Sequence, residues 1–195
     1  MKLYLVTSNE NKLREISLLL PDEIQLESIE AAASHREIVE DSPTFLGNSL
    51  KKIEAYMDLG VPLLADDSGL MIDSLGGFPG VNSARFMKGS SYASKMRAIL
   101  DRMEGEQERT ARFICAALFY DPLNSTLLGV EGKVDGTISR RISGTGGFGY
   151  DPIFIPRGYS DTFAVLGDSV KKRLSHRSNA FKRLFSLVCL CDEKV

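Results

Sequence analysis

Apolar and polar residues alternate along the chain with two periods, which predicts both strands and helices. Residues 2–6 form a compact apolar run that predicts a strand, and leucine and isoleucine then recur at helical spacing through residue 20. Residues 24–29 are expected to form a second strand, and residues 30–41 a polar loop. A tight turn from a strand into a helix places backbone N–H groups at the positive end of the helix dipole, which attracts phosphate. An ordinary capped helix is the alternative.

A second amphipathic helix is predicted from Ser42-Pro43 onward, with Pro43 suited to the first helical position. Within it Asn48 and Lys52 are four residues apart and therefore share one face. We expect that face to line a cleft. The alternative is that Lys52 lies on the solvent-exposed surface of the helix.

Two adjacent carboxylates follow the next apolar run. Residues 62–65 predict the end of a buried strand, and Ser68-Gly69 predicts the turn that stops it, so Asp66 and Asp67 fall in that turn. Because side chains alternate across a strand, one carboxylate can face a cleft while neighbouring donors hold the other. Oxygen ligands of this kind suit Mg²⁺. A polar turn with Asp capping nearby N–H groups is the alternative.

The rest of the chain predicts a mixed sheet. Residues 109–120 are apolar on both faces, as in a central strand. Further strands are predicted at residues 70–75, 126–131, 133–140 and 153–155. The strands at 126–131 and 133–140 are expected to be antiparallel neighbours. A loop is predicted at residues 76–80, and helices are predicted at residues 90–103 and 180–188.

Two unusual stretches carry candidate chemistry. Residues 144–152 read GTGGFGYDP, in which a flexible backbone presents Phe148, and such a ring can stack on a nucleobase or pack into a core. Residues 171–178 concentrate positive charge ahead of the last predicted helix, with Arg177 offering a planar fork of donors. A solvated basic surface is the alternative there.

Composition narrows the class of protein. The 195 residues suit one domain with two lobes, and no apolar run approaches the roughly 18 residues of a membrane span. The first residues turn polar too soon for a secretory signal, so we expect a cytoplasmic protein in which Cys115, Cys189 and Cys191 are reduced and mostly buried. A net charge of −2 gives no field for binding a nucleic-acid duplex.

Five stretches together resemble one family. They are residues 7–12 (TSNENK), 40–52, 65–70 (ADDSGL), 144–152 (GTGGFGYDP) and 175–177 (SHR). In order and spacing they are similar, over nearly the entire chain, to the inosine/xanthosine triphosphate pyrophosphatases of the HAM type. That resemblance implies an α/β fold with an elongated mixed β-sheet flanked by helices, two lobes with a nucleotide cleft between them, and a homodimer. It also implies Mg²⁺-dependent hydrolysis of inosine, deoxyinosine and xanthosine triphosphates to the monophosphate and pyrophosphate.

The resemblance also implies roles for individual residues. Asp67 matches the general base, Glu40 and Asp67 the metal ligands, and Lys52 a catalytic cation. The implied substrate-binding residues are Thr7, Ser8, Asn9, Glu10, Asn11, Lys12, Ser68, Phe148, Gly149, Tyr150, Asp151, Lys171, His176 and Arg177. Phe148 would stack on the base. Donors of the protein around the edge of the base would select a purine with an oxygen at C6, because the amino group of adenine would face them with a second donor and leave a buried group unpaired.

The chain departs from the family pattern at two places. Gly47-Asn48-Ser49 stands where similar proteins usually carry Glu-Asn-Ala, and Val165 stands where they carry an acidic residue. Rival interpretations are a Maf-type pyrophosphatase with another base preference and a nucleotide-binding regulator without catalysis. GTGGFGYDP and SHR disfavour the former.

Overall fold

The computed structural model describes residues 1–192, with side chains described through residue 189. The strands are β1 (Lys2–Leu5), β2 (Gln25–Ser28), β3 (Leu63–Ile72), β4 (Phe78–Pro79), β5 (Thr110–Asp121), β6 (Thr126–Ile138) and β7 (Phe154–Pro156). The helices are α1 (Glu10–Ser17), α2 (Phe45–Glu54), α3 (Tyr92–Arg102), α4 (Phe163–Leu174), which Gly167 interrupts, and α5 (His176–Asp192).

Within residues 1–192, one mixed sheet of seven strands organises the fold. The strand order is β2-β1-β3-β5-β6-β7, and β4 pairs separately with β3. Strand β1 runs parallel to β2 and β3, whereas β4 is antiparallel to β3 and β7 to β6. The predicted α/β fold with a mixed sheet flanked by helices is therefore confirmed.

The described residues divide into two compact units. Unit 1 contains residues 1–68, 115–132 and those from 176 onward, and unit 2 contains residues 69–114 and 133–175. Strands β3, β5 and β6 contribute residues to both.

In unit 1 the strands are covered on both faces. On one face Leu5 and Leu64 pack with Ile16 of α1 and Phe181 of α5. On the other face, Leu63 and Ala65 pack with Val6, Leu118 and Ile53 of α2. Successive residues of β3 thus enter different cores, as side-chain alternation along a strand requires.

Unit 2 has its own core, in which strand residues Leu70 and Phe113 pack with Met96 of α3 and Phe163 of α4. Helix α4 was not predicted, and the basic residues at positions 171–173, predicted to lie ahead of the last helix, form the last turn of α4. Gly167 has φ of 80°, which breaks the helical pattern within this segment.

Several predicted boundaries were wrong. Strand β3 does not stop at a turn after residue 65 but continues to Ile72, and the predicted strands at 126–131 and 133–140 are one strand, β6. Residues 78–79, predicted as loop, form the short strand β4. Pro43 lies before Thr44, the N-cap of α2, instead of at the first helical position. Helix α1 ends at Ser17, three residues early.

The cysteine prediction holds only in part. Cys115 and Cys189 are free thiols; Cys115 is buried, as predicted, but Cys189 of α5 is exposed. The side chain of Cys191 lies outside the described residues. Over the part of the chain that the structure covers, none of the helices combines the length and apolar character needed to cross a bilayer.

Because β6 packs closely on α5, adding one methyl group at Gly132 should destabilise the protein. A Cβ at Gly132 would overlap the backbone nitrogen of Ala180 and the backbone oxygen of His176. We expect Gly132→Ala to lower the free energy of unfolding by about 1–3 kcal/mol, because backbone atoms cannot rotate away. Gly129→Ala is the control, since its Cβ would meet Leu118 at an ordinary 3.4 Å. Equal urea midpoints for the two variants would contradict this packing argument.

Burial of Tyr150 predicts a specific alkaline loss of stability. Its hydroxyl donates to the carbonyl oxygen of Ser83 at 2.8 Å, and burial, with a smaller contribution from Tyr92, raises the pKa of Tyr150 above the ordinary 10.0. Above pH 10 the unfolded chain ionises this phenol while the folded chain does not, so stability falls as pH rises. We expect Tyr150→Phe to lose about 1 kcal/mol at pH 7. The difference in unfolding free energy between wild type and Tyr150→Phe should shrink between pH 10 and pH 11 in urea titrations. A difference that stays constant over this range would refute the raised pKa of Tyr150.

Candidate active site

Strand parity separates the two adjacent carboxylates of β3. Asp66 has the same parity as Leu64, which faces α1 and α5, and Asp67 has the parity of Leu63 and Ala65, which face α2. Both are buried, with 1% and 7% of their surfaces exposed. Because each face of the strand is covered by helices, consecutive carboxylates can both be buried and still have different neighbours.

Asp66 lies among cations that two helices supply. Its Oδ2 is 3.0 Å from Nζ of Lys12 on α1 and 3.5 Å from Nε of Arg177 on α5, and the Cys115 thiol lies 3.8 Å from the same oxygen. Burial by itself raises the pKa of Asp66, but the charges of Lys12, Arg177 and Lys52 outweigh it, so the pKa lies below its ordinary value. Asp66 is therefore a fixed anion.

Arg177 is held by protein groups on more than one side. Its Nη1 donates to Glu15 Oε2 at 2.5 Å and its Nη2 to the Ser68 hydroxyl at 2.8 Å. Although burial lowers the pKa of Arg177, Asp66 and Glu15 raise it above its ordinary value. Only 2% of its surface is exposed, and both Nη groups of the guanidinium donate to protein side chains. Its predicted role in reading the base stays a prediction.

Glu15 was missed by the sequence analysis. It follows Lys12 by three residues on α1, so both side chains share a helix face, and the opposite charges at that spacing were the available signal.

Two ammonium groups converge on a single backbone oxygen. The carbonyl of Asp66 accepts from Lys52 Nζ at 2.9 Å and from Lys12 Nζ at 3.3 Å. Burial lowers the pKa of Lys52, and the neighbouring charge of Lys12 lowers it further, while Asp67, Asp66 and Glu40 act in the opposite direction. Each ammonium group also has a carboxylate close by, Asp66 for Lys12 and Glu40 for Lys52.

Asp67 faces a different set of groups. Its Oδ2 accepts from the Asn48 amide at 3.0 Å, its Oδ1 accepts from the Ser68 backbone N–H at 2.9 Å, and Lys52 Nζ lies 3.9 Å away. Burial raises the pKa of Asp67 above its ordinary value, against the opposing effects of Lys52, Lys12 and Asn48. A carboxylate with an elevated pKa is a better proton acceptor than one held as a fixed anion.

Glu40 and Asp67, the predicted metal ligands, face the same lysine. Lys52 Nζ is 3.3 Å from Glu40 Oε2, so both carboxylates lie within 4 Å of one ammonium nitrogen. Among the described residues, no group of three or more His, Cys, Asp or Glu side chains is arranged to hold an ion by itself. Mg²⁺ commonly takes one or two carboxylates and completes its shell with water and substrate phosphate. The donor set fits such an ion.

The turn between β1 and α1 is built around Asn9. Its side chain caps the helix by accepting from the N–H groups of Asn11 and Lys12, and its own N–H donates to Thr7 Oγ1. Three N–H groups of the turn expected to bind phosphate, those of Asn9, Asn11 and Lys12, are thus already bonded within it. Ser8, Glu10 and Asn11 are exposed, and Lys12 reaches Asp66 from this turn.

Within unit 2, Asp151 organises the glycine-rich loop. Its Oδ2 accepts from the Phe148 backbone N–H at 2.7 Å and lies 2.5 Å from Nζ of Lys171. The Lys171 ammonium is 4.3 Å from the centre of the half-buried Phe148 ring, a cation–π distance. Gly147 has φ of 69°, and a Cβ there would overlap Asp151. The loop therefore presents an aromatic ring with a cation on it.

The other predicted site residues differ in exposure. Tyr150 is buried in the core of unit 2 and Gly149 is half-buried next to it. His176 is buried at the start of α5 in unit 1, with 5% of its surface exposed. The predicted site residues are therefore shared between the units. Unit 2 contains residues 148–151 and Lys171, and unit 1 contains Lys12, Glu40, Lys52, Asp66, Asp67, His176 and Arg177.

Comparisons with known proteins identify the family of the chain. Residues 3–187 match the model of the Ham1 family. The chain is 40% identical over 193 residues to a dITP/XTP pyrophosphatase of Desulforamulus reducens, covering 96% of each chain, and 40% identical over 188 residues to one of Clostridium tetani, covering 92% of each. The solved structure of the Staphylococcus aureus Ham1 protein superimposes with a TM-score of 0.88 at 30% identity over 100% of both chains. The chain belongs to the Ham1 family.

Proposed function

We propose that this protein hydrolyses non-standard purine nucleoside triphosphates, namely those of inosine, deoxyinosine and xanthosine, to the monophosphate and pyrophosphate. The observation that carries the proposal is the convergence of Lys12 and Lys52 on one carbonyl oxygen beside Asp67 and Glu40. The lysines supply charge for a triphosphate, and the carboxylates supply a base and metal ligands. Relatives named dITP/XTP pyrophosphatases support the choice of substrate.

Asp67 acts as the general base in this proposal. Its orientation, fixed by the Asn48 amide and the Ser68 backbone N–H, suits it to orient the attacking water and accept a proton from it. Glu40 and Asp67 would hold Mg²⁺, which when bound neutralises phosphate charge and lowers the pKa of a coordinated water. Lys52 and Lys12 would bind the phosphate oxygens, and Asp66 keeps Lys12 in place through its buried ion pair.

Base recognition is proposed for the aromatic loop. One face of the Phe148 ring carries the Lys171 ammonium, and the ring would stack on the purine. Selection of a 6-oxo base by Lys171, His176 and Arg177 also stays a prediction, as do the homodimer and the cytoplasmic location.

A pyrophosphate-release assay tests the activity. We expect Mg²⁺-dependent release from inosine, deoxyinosine and xanthosine triphosphates, and much slower release from guanosine, adenosine and thymidine triphosphates. Equal rates across the panel would favour a Maf-type preference or a non-selective enzyme. No release from any of these nucleotides would refute catalysis and leave a nucleotide-binding regulator.

Removal of the proposed base should abolish turnover without unfolding the protein. We expect Asp67→Asn to lower kcat by about 10²- to 10⁴-fold, because the amide cannot accept the proton. Asp73→Asn is the control, since Asp73 pairs with Arg112 on the exposed surface of unit 2. Near-normal kcat in Asp67→Asn would assign the base elsewhere.

Truncation of the aromatic loop should weaken nucleotide binding. We expect Phe148→Ala to raise KM for inosine triphosphate by about 5- to 150-fold, which corresponds to the loss of a stacking contact of about 1–3 kcal/mol. The matched control is Phe86→Ala, which removes another half-buried ring of unit 2, one that packs edge-on against Phe78. Similar KM values for wild type and Phe148→Ala would refute base stacking by this residue.

A further inference from the structure

Asn48 links two segments that carry the proposed metal ligands. It is completely buried on α2, and its Nδ2 lies 3.0 Å from Asp67 Oδ2. Its Oδ1 lies 2.9 Å from the backbone nitrogen of Ser42, two residues after Glu40. One carboxamide therefore contacts both Asp67 of β3 and the loop that carries Glu40.

The chemistry of the partners fixes the orientation of this amide. A backbone N–H can only donate, so the atom of Asn48 that faces Ser42 must be oxygen. The nitrogen then faces Asp67, whose ionised carboxylate can only accept. Reversing the amide would set two donors against each other at Ser42 and two acceptors against each other at Asp67, and buried mismatches of this kind are costly.

The Glu40 loop is packed on α2 at the same place. A Cβ at Gly47 would overlap the Ser42 hydroxyl, so glycine leaves the room in which Ser42 lies against the helix. The adjacent Asp41 pairs with Lys51 of α2. These contacts keep the Ser42 N–H within reach of Asn48.

We propose that Asn48 is a positioning residue that fixes Asp67 and the Glu40 loop in one arrangement, so that both carboxylates can bind the same divalent cation. The inference rests on the proposed function, in which those carboxylates are the metal ligands. Asn48 touches neither the substrate nor the cation in this role; it acts through the groups it orients. Partners that orient metal ligands typically affect metal affinity or activity by about 10- to 100-fold.

Two measurements on Asn48→Ala test the inference. The first is the Mg²⁺ concentration that gives half-maximal pyrophosphate release, together with kcat and KM for inosine triphosphate. The second is the dissociation constant of Mn²⁺ alone, measured by electron paramagnetic resonance without nucleotide. We expect the half-maximal Mg²⁺ concentration and the Mn²⁺ dissociation constant each to rise about 10- to 100-fold. KM at saturating Mg²⁺ should change much less, because the lysines that bind phosphate are intact.

Ser49→Ala is the matched control. Ser49 is also buried on α2, but its hydroxyl donates to the carbonyl of Ala116 and does not contact the carboxylates. It should lose stability without a change in metal dependence. If Asn48→Ala is unfolded at the assay temperature, Asn48→Ser, which keeps a polar group in the buried position, is measured in the same way.

The outcomes distinguish the inference from the proposed function. Unchanged Mg²⁺ dependence and Mn²⁺ affinity in a folded Asn48 variant overturn the inference, and leave the function intact if wild type releases pyrophosphate. If wild type releases none, the function fails, and Mn²⁺ binding alone decides about Asn48. Weaker Mn²⁺ binding in the variant than in wild type would then support the positioning role, whereas equal binding, or no binding to wild type, would overturn it.

Discussion

The burial of the Asp66 carboxylate is the constraint on which unit 1 depends. An ionised carboxylate without partners is very costly in a protein interior, so the strand that carries it requires cations close by. Lys12 of α1 and Arg177 of α5 meet that requirement at 3.0 and 3.5 Å. The two helices that cover this face of the sheet are therefore positioned by charge as well as by apolar packing. Loss of either cation would leave the buried anion undercompensated.

Strand geometry then gives adjacent carboxylates different chemical properties. Asp66, among cations, has a lowered pKa, whereas Asp67, on the opposite face, has a raised one because burial outweighs its fewer stabilising contacts. One-residue alternation along β3 thus places two carboxyl groups of different proton affinity side by side. Divergent pKa values in neighbouring carboxyl groups are a physical basis for assigning separate roles to them. Lys12 and Lys52 lower the pKa of both groups, whereas Arg177 contributes for Asp66 and the Asn48 amide for Asp67.

Much of the fold could be predicted from local patterns, and the failures have identifiable causes. The double apolar pattern of β5 and the turn into α1 were recognised correctly because local and tertiary preferences agree there. Strand β3 was predicted to stop at Ser68-Gly69, because Asp, Ser and Gly favour turns locally, but ion pairs on both faces stabilise the extended chain. Two strands were predicted at residues 126–131 and 133–140, but Gly132 between them lies inside β6, where α5 approaches its backbone. Helix α4 was missed because Gly167 interrupts its pattern.

The candidate site was predictable in its residue types more than in its contacts. Motif spacing identified Lys12, Lys52 and Asp67, but could not show that both lysines bind the carbonyl of Asp66, because that contact depends on a backbone atom with no signature in sequence. Nor could it show that the donors of Arg177 contact Glu15 and Ser68, since α1 and α5 are far apart along the chain. Contacts between distant elements are set by packing, and a single sequence carries little information about them.

The balance of charge around Lys52 bears on why a cation would be required. In unit 1 the cations Lys12, Lys52 and Arg177 face the carboxylates of Asp66, Asp67, Glu40 and Glu15, so these groups carry more acidic than basic side chains. A triphosphate approaching the two lysines would therefore also approach Glu40 and Asp67, whose charges repel it. The Lys52 ammonium group would therefore interact with these carboxylates and with phosphate at the same time. A divalent ion held by Glu40 and Asp67 would remove that repulsion and reduce their hold on Lys52, leaving its ammonium group for the substrate. Metal and phosphate binding would then favour each other through one shared lysine.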